Sequence, residues 1–315
     1  MEKMHKKTME EDRDGIQKNI PKSIQWKRKP VEREEKESGC QYGIEEKQQK
    51  DLIYLSFPLL EETGLVQHLF TTRLGGVSDG IFSSMNLSYS RGDEKSRVDE
   101  NFRRIAALME RDVEDFVFTD QTHTTKVRHV GAGDRGKGIL YPMDYKDVDG
   151  LITEDPSVVL VTFFADCVPL YFIDKKNRAI GLSHSGWRGT VGRMGACTLQ
   201  AMEQAFGTKP EHVTAAIGPS ICGTCYEVSE DVRQAFTDAF GDARAQRFFK
   251  EKGAGKYRLD LWKANAWILQ DAGVPADQIA VTDLCTCCNP EFLFSHRASM
   301  GKRGNLAAFL ALKKG

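Results

Sequence analysis

Three residues of this chain carry side chains suited to hold a metal, and each stands just beyond an apolar, β-rich run. The runs read FVFTDQTH, VVLVTFFADCVP and AIGLSHSGWRG, and the residues are His123, Cys167 and His184. His123 follows 116–119 by a short polar turn, Cys167 lies in the turn Asp166-Cys167-Val168-Pro169, and His184 closes the alternation Ile180, Leu182, His184. Strand ends converge along one edge of a sheet, so three such side chains can meet. Two imidazoles and a thiolate form a three-ligand zinc set that leaves a fourth position for water or substrate. Taken singly, each residue also fits an ordinary role, as a locally hydrogen-bonded histidine or a small buried hydrophobe. With Cys167 as nucleophile and His123 or His184 as base, the same residues fit a Cys/His hydrolase.

A second thiol group comprises Cys222 and Cys225 in C-x-x-C, with Cys285, Cys287 and Cys288 in C-x-C-C. Four of these five complete a closed structural zinc site if their loops meet, and C-x-x-C alone suits redox chemistry. The second half lacks the spacing of a zinc knuckle, so reduced, packed thiols are the expected state. Arg73 in TTRLGGVS, Arg188 in SGWRG, and Arg297 with Lys302 and Arg303 in SHRASMGKRGN place cations in turns that can present to an anion such as phosphate. Other matches fail on context. Gly131 to Gly136 satisfies G-x-G-x-x-G, but Gly138 and Pro142 deny it the helix that a dinucleotide site needs. The run Gly181 to Ser185 lacks the final glycine of a nucleophile elbow, and the H-x-E with P-C-x-x-C of zinc deaminases is absent.

These residues need a scaffold, and the pattern of apolar runs supplies one. Strands are expected near 66–72, 116–119, 126–130, 158–164, 170–174, 179–183, 213–217 and 279–283, and helices near 191–206, 230–240 and 261–272. Ser96 and Asp99 read as a capping box ahead of a helix carrying Val98, Phe102, Ile105 and Met109. The fold class is therefore α/β (α+β), a single domain of mixed β-sheets packed against helices, over residues 51–315. Residues 1–50 hold 13 Lys and Arg, 11 Asp and Glu and 11 apolar residues, too little apolar content to offset the ordering entropy, so a charged tail is expected there. Ile16, Ile20, Ile24 and Trp26 could instead form a short docking arm.

Forty-four basic against 45 acidic residues leave a net charge of -1, which disfavours nucleic acid or an anionic membrane as partner. The longest strongly apolar run, 158–165, is far shorter than the roughly 20 residues of a membrane span. The charged N-terminus lacks a signal peptide's apolar stretch, so a cytoplasmic location with reduced cysteines is expected.

Taken together, TTRLGGVS with Met85-Asn86-Leu87-Ser88, DQTH, Ala-Asp-Cys-Val-Pro, His-Ser-Gly-Trp-Arg-Gly, AIGPSICGTCYEV and FLFSHR resemble successive blocks of the YfiH family, also called the laccase-domain or polyphenol-oxidase family. The likeness covers nearly all of 51–315 and is strongest to bacterial members. It implies zinc held by His123, Cys167 and His184, and activity on purine nucleosides: phosphorolysis of adenosine, inosine and methylthioadenosine, with adenosine deamination besides. Under that reading Arg73, Arg188 or Arg297 would hold phosphate and Asn86 would bond base or ribose. Asp149, Asp166 and Glu227 are candidates to move a proton. Ser183 and Ser185 stand beside His184 and are expected to make the pocket wall more polar. Copper is possible at the same three ligands. A multicopper phenol oxidase is disfavoured, since none of the 7 histidines forms a His-x-His pair. A non-catalytic factor that binds a nucleotide-linked cell-wall precursor is a further alternative.

Overall fold

A computed structural model describes residues 24–32 and 36–314. Two mixed sheets carry the fold. In the larger, the order is β1 (Gln41–Tyr42), β15 (Ile279–Val281), β11 (Val213–Ile217), β9 (Val168–Asp174), β10 (Ala179–Ser185), β7 (Gly150–Thr153) and β6 (Val127–His129). In the second, it is β2 (Glu45–Gln49), β3 (Leu52–Ser56), β4 (Val66–Thr71), β16 (Leu306–Leu312), β8 (Val159–Phe164) and β5 (Phe116–Phe118). A small third sheet joins β12 (Glu227–Ser229), β14 (Lys256–Leu259) and β13 (Phe249–Gly253).

Period-two alternation builds four layers from these strands. Along β8, Leu160 enters the core shared with the larger sheet, while Val159 and Val161 face helix α2 (Lys95–Leu108). Along β9, Tyr171 and Ile173 enter the shared core, while Leu170 and Phe172 face α4 (Met194–Phe206) and α7 (Leu261–Asp271). The order is thus helix, sheet, sheet, helix. Val98, Phe102 and Ile105 form the buried stripe of α2 at helical spacing. Each fully buried side chain of this size contributes about 1.5–3 kcal/mol.

All eight expected strands are present, with ends no more than two residues from those expected. Three details differ. The helix expected over 191–206 is two, α3 (Trp187–Val191) and α4, because Arg193 takes φ 59 and a Cβ on Gly192 would lie 2.6 Å from Thr125 Cγ2. The expected capping box is not formed. Helix α2 starts at Lys95 with Glu94 as N-cap, the Ser96 hydroxyl donates to the Glu94 carboxylate, and Asp99 accepts from Lys95 and Tyr89. Strands β1 and β2 fall inside the stretch expected to be tail, so the sheets begin about ten residues before Asp51.

Ile16 and Ile20 lie outside the described residues, and the described part of the expected arm packs on the rest of the chain. Trp26 packs edge-on against Phe292 at 5.2 Å and donates to Glu46, and Arg28 pairs with Asp283 at 2.8 Å. Among the described residues no helix is long and apolar enough to cross a membrane.

Candidate metal centre and its cavity

The polypeptide passes from one sheet to the other at the turn between β8 and β9, and Cys167 sits in that turn. His184 is the penultimate residue of β10, in register with Pro169 of β9. His123 lies in the loop after β5 with φ 66, a left-handed conformation that a non-glycine residue holds only when its surroundings enforce it. The ligand atoms of all three lie within 4.8 Å of one another, and His123 Nε2 is 3.9 Å from Cys167 Sγ. His184 is buried, Cys167 half-buried and His123 exposed, so the group opens to one side. A Cβ on Gly186 would stand 3.0 Å from both Cys167 Sγ and His123 Cδ2, so a side chain there would push on two of the three residues.

Asp149 organises this group. Fully buried, it accepts the Nδ1 of His184 at 2.8 Å, the backbone amides of Thr122, His123 and Thr124, and the Thr124 hydroxyl. With Nδ1 engaged, Nε2 is the His184 atom left for a metal. Burial works to raise the Asp149 carboxyl, but His184 and the loop amides outweigh it and hold it below the ordinary range. Burial likewise works to raise the Cys167 thiol, and the two imidazoles bring it down to about 6. His184 moves the other way. Burial would lower it, but Cys167 and Asp149 raise it to about 9. A thiolate among imidazoles, with a carboxylate behind one of them, is a donor set suited to a borderline divalent metal, and the three residues therefore fit one.

The group opens into a cavity of about 400 Å³. Leu87, Tyr89, Phe118 and Phe163 contribute apolar surface to it, and Arg91 and Arg303 also line it. Arg303 is buried and its Nε has no hydrogen-bond partner. Burial first, then the charge of Arg91, lowers it to about 10.

The expected anion-binding residues are placed differently from one another. Arg73 donates to the Ser83 and Pro290 carbonyls and lies 4.5 Å over the Phe294 ring. Asn86 is fully buried and bonds Ser88, Asp93 and the Asn305 amide. Neither lines the cavity, although Ser88 and Asn305 do. Arg188 lies 4.3 Å over the ring of Trp187, and Arg297 donates to the Glu227 carbonyl and lies 5.4 Å over Tyr226. Ser183 and Ser185 are not in the pocket wall, because alternation along β10 turns them away from His184. They bond Thr198, Thr190 and Asn265 in the helical layer.

Residues 67–313 match the family model described as multi-copper polyphenol oxidoreductase laccase. The chain belongs to that family. Laccase-family relatives include the purine nucleoside phosphorylase YlmD of Bacillus subtilis, 37% identical over 246 residues (78% of this chain, 88% of the relative). A purine nucleoside phosphorylase of Bacteroides thetaiotaomicron is 35% identical over 271 residues (84% and 98%). The crystal structure of YlmD from Geobacillus stearothermophilus superposes with a TM-score of 0.78 at 32% identity, covering 85% of this chain and 99% of that one. That of the Bacillus licheniformis hypothetical protein YfiH gives 0.78 at 34%, covering 84% and 97%. Despite the family's description, the described residues contain only two groups of three or more converging metal-type side chains. These are His123, Cys167 and His184, and a set of four cysteines.

Arg91 escaped the reading of the sequence, since it follows Tyr89-Ser90 in a turn with no distinguishing signal. Asp149, named there as a candidate proton carrier, accepts from His184 Nδ1 and from the His123 amide.

Proposed function

We propose that this protein is a zinc-dependent purine nucleoside phosphorylase. The observation that carries the reading is one cavity that joins the His123, Cys167 and His184 group to two guanidiniums, one of them with a buried, unpartnered Nε. The names of the relatives support it. His123, Cys167 and His184 would hold the zinc ion, which would supply Lewis-acid polarisation when bound. Arg91 and Arg303 hold the phosphate as a dianion, and the burial of Arg303 strengthens each contact. Tyr89, Phe118 and Phe163 cover the purine and exclude water from the sugar. A phosphate oxygen then forms a bond to the anomeric carbon as the glycosidic bond breaks. The bonding pair passes to the base, which takes up a proton as it leaves, and the sugar passes through an oxocarbenium-like state.

Arg73 and Asn86 act as positioning residues for the loop that carries Leu87 and Ser88. Arg188 and Arg297, beside Tyr226, meet the part of the substrate outside the main cavity. Adenosine deamination is a second activity of the same centre, and eight unpaired cysteines fit action in a reducing cytoplasm.

Incubation of the zinc-loaded protein with adenosine and phosphate, followed by chromatography, tests the reading. Adenine formed only when phosphate is present supports phosphorolysis, and inosine supports deamination. Neither product would turn the reading toward a binding factor, and phenol oxidation with stoichiometric copper toward an oxidase. Arg303→Met should raise KM for phosphate at least tenfold and KM for adenosine much less. An equal rise in both would remove Arg303 from the phosphate site.

A further inference from the structure

We propose that Cys222, Cys225, Cys285 and Cys288 form a closed zinc site that ties together two loops and the N-terminal arm beside the Cys167 turn. The loops follow β11 and β15, which are parallel neighbours, and an isolated bridge from Ser220 to Cys285 extends their pairing past the strand ends. This extension brings the C-x-x-C and C-x-C-C segments together although they are some sixty residues apart. Thiols with no sequence relation thereby acquire a common centre.

All four sulfurs lie within 4.8 Å of one another, and Cys225 Sγ is 3.4 Å from Cys288 Sγ. Zn–S bonds of about 2.3 Å in a regular tetrahedron place sulfurs about 3.8 Å apart, so the spacing suits one ion rather than a polynuclear cluster. Cys222 and Cys285 are buried and the other two half-buried, which leaves no open coordination position of the kind a catalytic zinc needs. Groups around the cysteines point donors at sulfur. The Cys222 amide donates to Cys285 Sγ at 3.3 Å, and Thr224 Oγ1 lies 3.1 Å from Cys222 Sγ. Lys29, from the arm, donates to Thr224 Oγ1 at 3.0 Å and places its ammonium against the sulfurs of Cys222 and Cys288. Four thiolates and one zinc ion carry a net charge of minus two, which Lys29 offsets in part.

The consequence reaches the other centre. Thr286, inside the C-x-C-C segment, donates its hydroxyl to Asp166 Oδ1 at 2.6 Å, and the Ile221 amide donates to the Asp166 carbonyl at 3.0 Å. Asp166 has φ 90 and precedes Cys167, so both loops brace the turn that presents the thiolate.

Native mass spectrometry and elemental analysis of the full chain, purified anaerobically with reductant, test the site. The expected result is two zinc ions per chain, falling to one in Cys167→Ala and to one in Cys288→Ser. Cobalt loaded into Cys167→Ala should show the strong charge-transfer absorption of four thiolates, and this variant leaves the four cysteines untouched should Cys288→Ser fail to fold. Any of three results would overturn the proposal: a Cys167→Ala chain without metal, iron in place of zinc, or a Cys225 to Cys288 disulfide in the reduced preparation.

Discussion

Asp149 makes more hydrogen bonds at the metal centre than any ligand does, and it makes them to both histidines at once. Asp149→Asn keeps the shape, but it loses the charge and opposes donor to donor at part of the contact. Zinc affinity, read by competition with a chromophoric chelator, should fall about 10–100-fold, the cost typical of a lost carboxylate behind a ligand histidine. His68 is a second buried histidine with a different task. Its Nε2 accepts the Phe57 amide at 2.9 Å, and burial lowers its pKa to about 3. Above pH 6.5 it is neutral whether the chain is folded or not. Between 6.5 and about 3 only the unfolded chain takes up the proton, so stability falls with pH by about 1.4 kcal/mol per unit from this residue. His68→Gln retains an acceptor, and its urea unfolding should be less steep in pH over that window. Parallel curves for the two proteins would show that His68 titrates normally. The three converging residues were legible because each follows a recognisable run. Asp149 was legible only as a candidate proton carrier, since most of its partners are backbone amides that no side-chain pattern reveals.

Helix α2 shows how an element remote from the metal shapes the cavity. Phe102 is fully buried and meets Phe118 at 5.1 Å and Tyr89 at 5.7 Å, both of which line the cavity. Phe102→Ala should cost about 3–5 kcal/mol in denaturant unfolding. It should also weaken nucleoside binding more than phosphate binding, because the wall it supports is the apolar one. The strands that position the three ligands could be read in advance because they are β-branched or aromatic runs bounded by turns. Strand β16, LAAFLAL, escaped. It is buried on both faces, so it shows no alternation, and its alanines and leucines suit a helix as well as a strand. The four-cysteine convergence was weighed only on the condition that the two loops meet, since that depends on the parallel pairing of β11 and β15 and not on spacing within either loop.

At the scale of the molecule, the ligands of the first centre come from both sheets and from the turn that joins them. A metal that binds only the folded chain adds stability by mass action, about 4 kcal/mol when free metal exceeds its dissociation constant a thousandfold. Dialysis against a chelator should therefore lower the thermal midpoint by several degrees, and stoichiometric zinc should restore it. An unchanged midpoint would mean that the sheets are held without it. One feature of the fold also governs the order in which the molecule can be made. Strand β16, far beyond both of its neighbours in sequence, lies between β4 and β8 in the middle of its sheet, and Arg303 and Asn305 immediately precede it. Until residues 303–312 are made and free to fold, β4 and β8 present two unpaired edges, and the part of the cavity lined by Arg303 and Asn305 does not yet exist. A nascent chain that has not yet reached β16 is thus exposed to misassociation and lacks one side of the cavity.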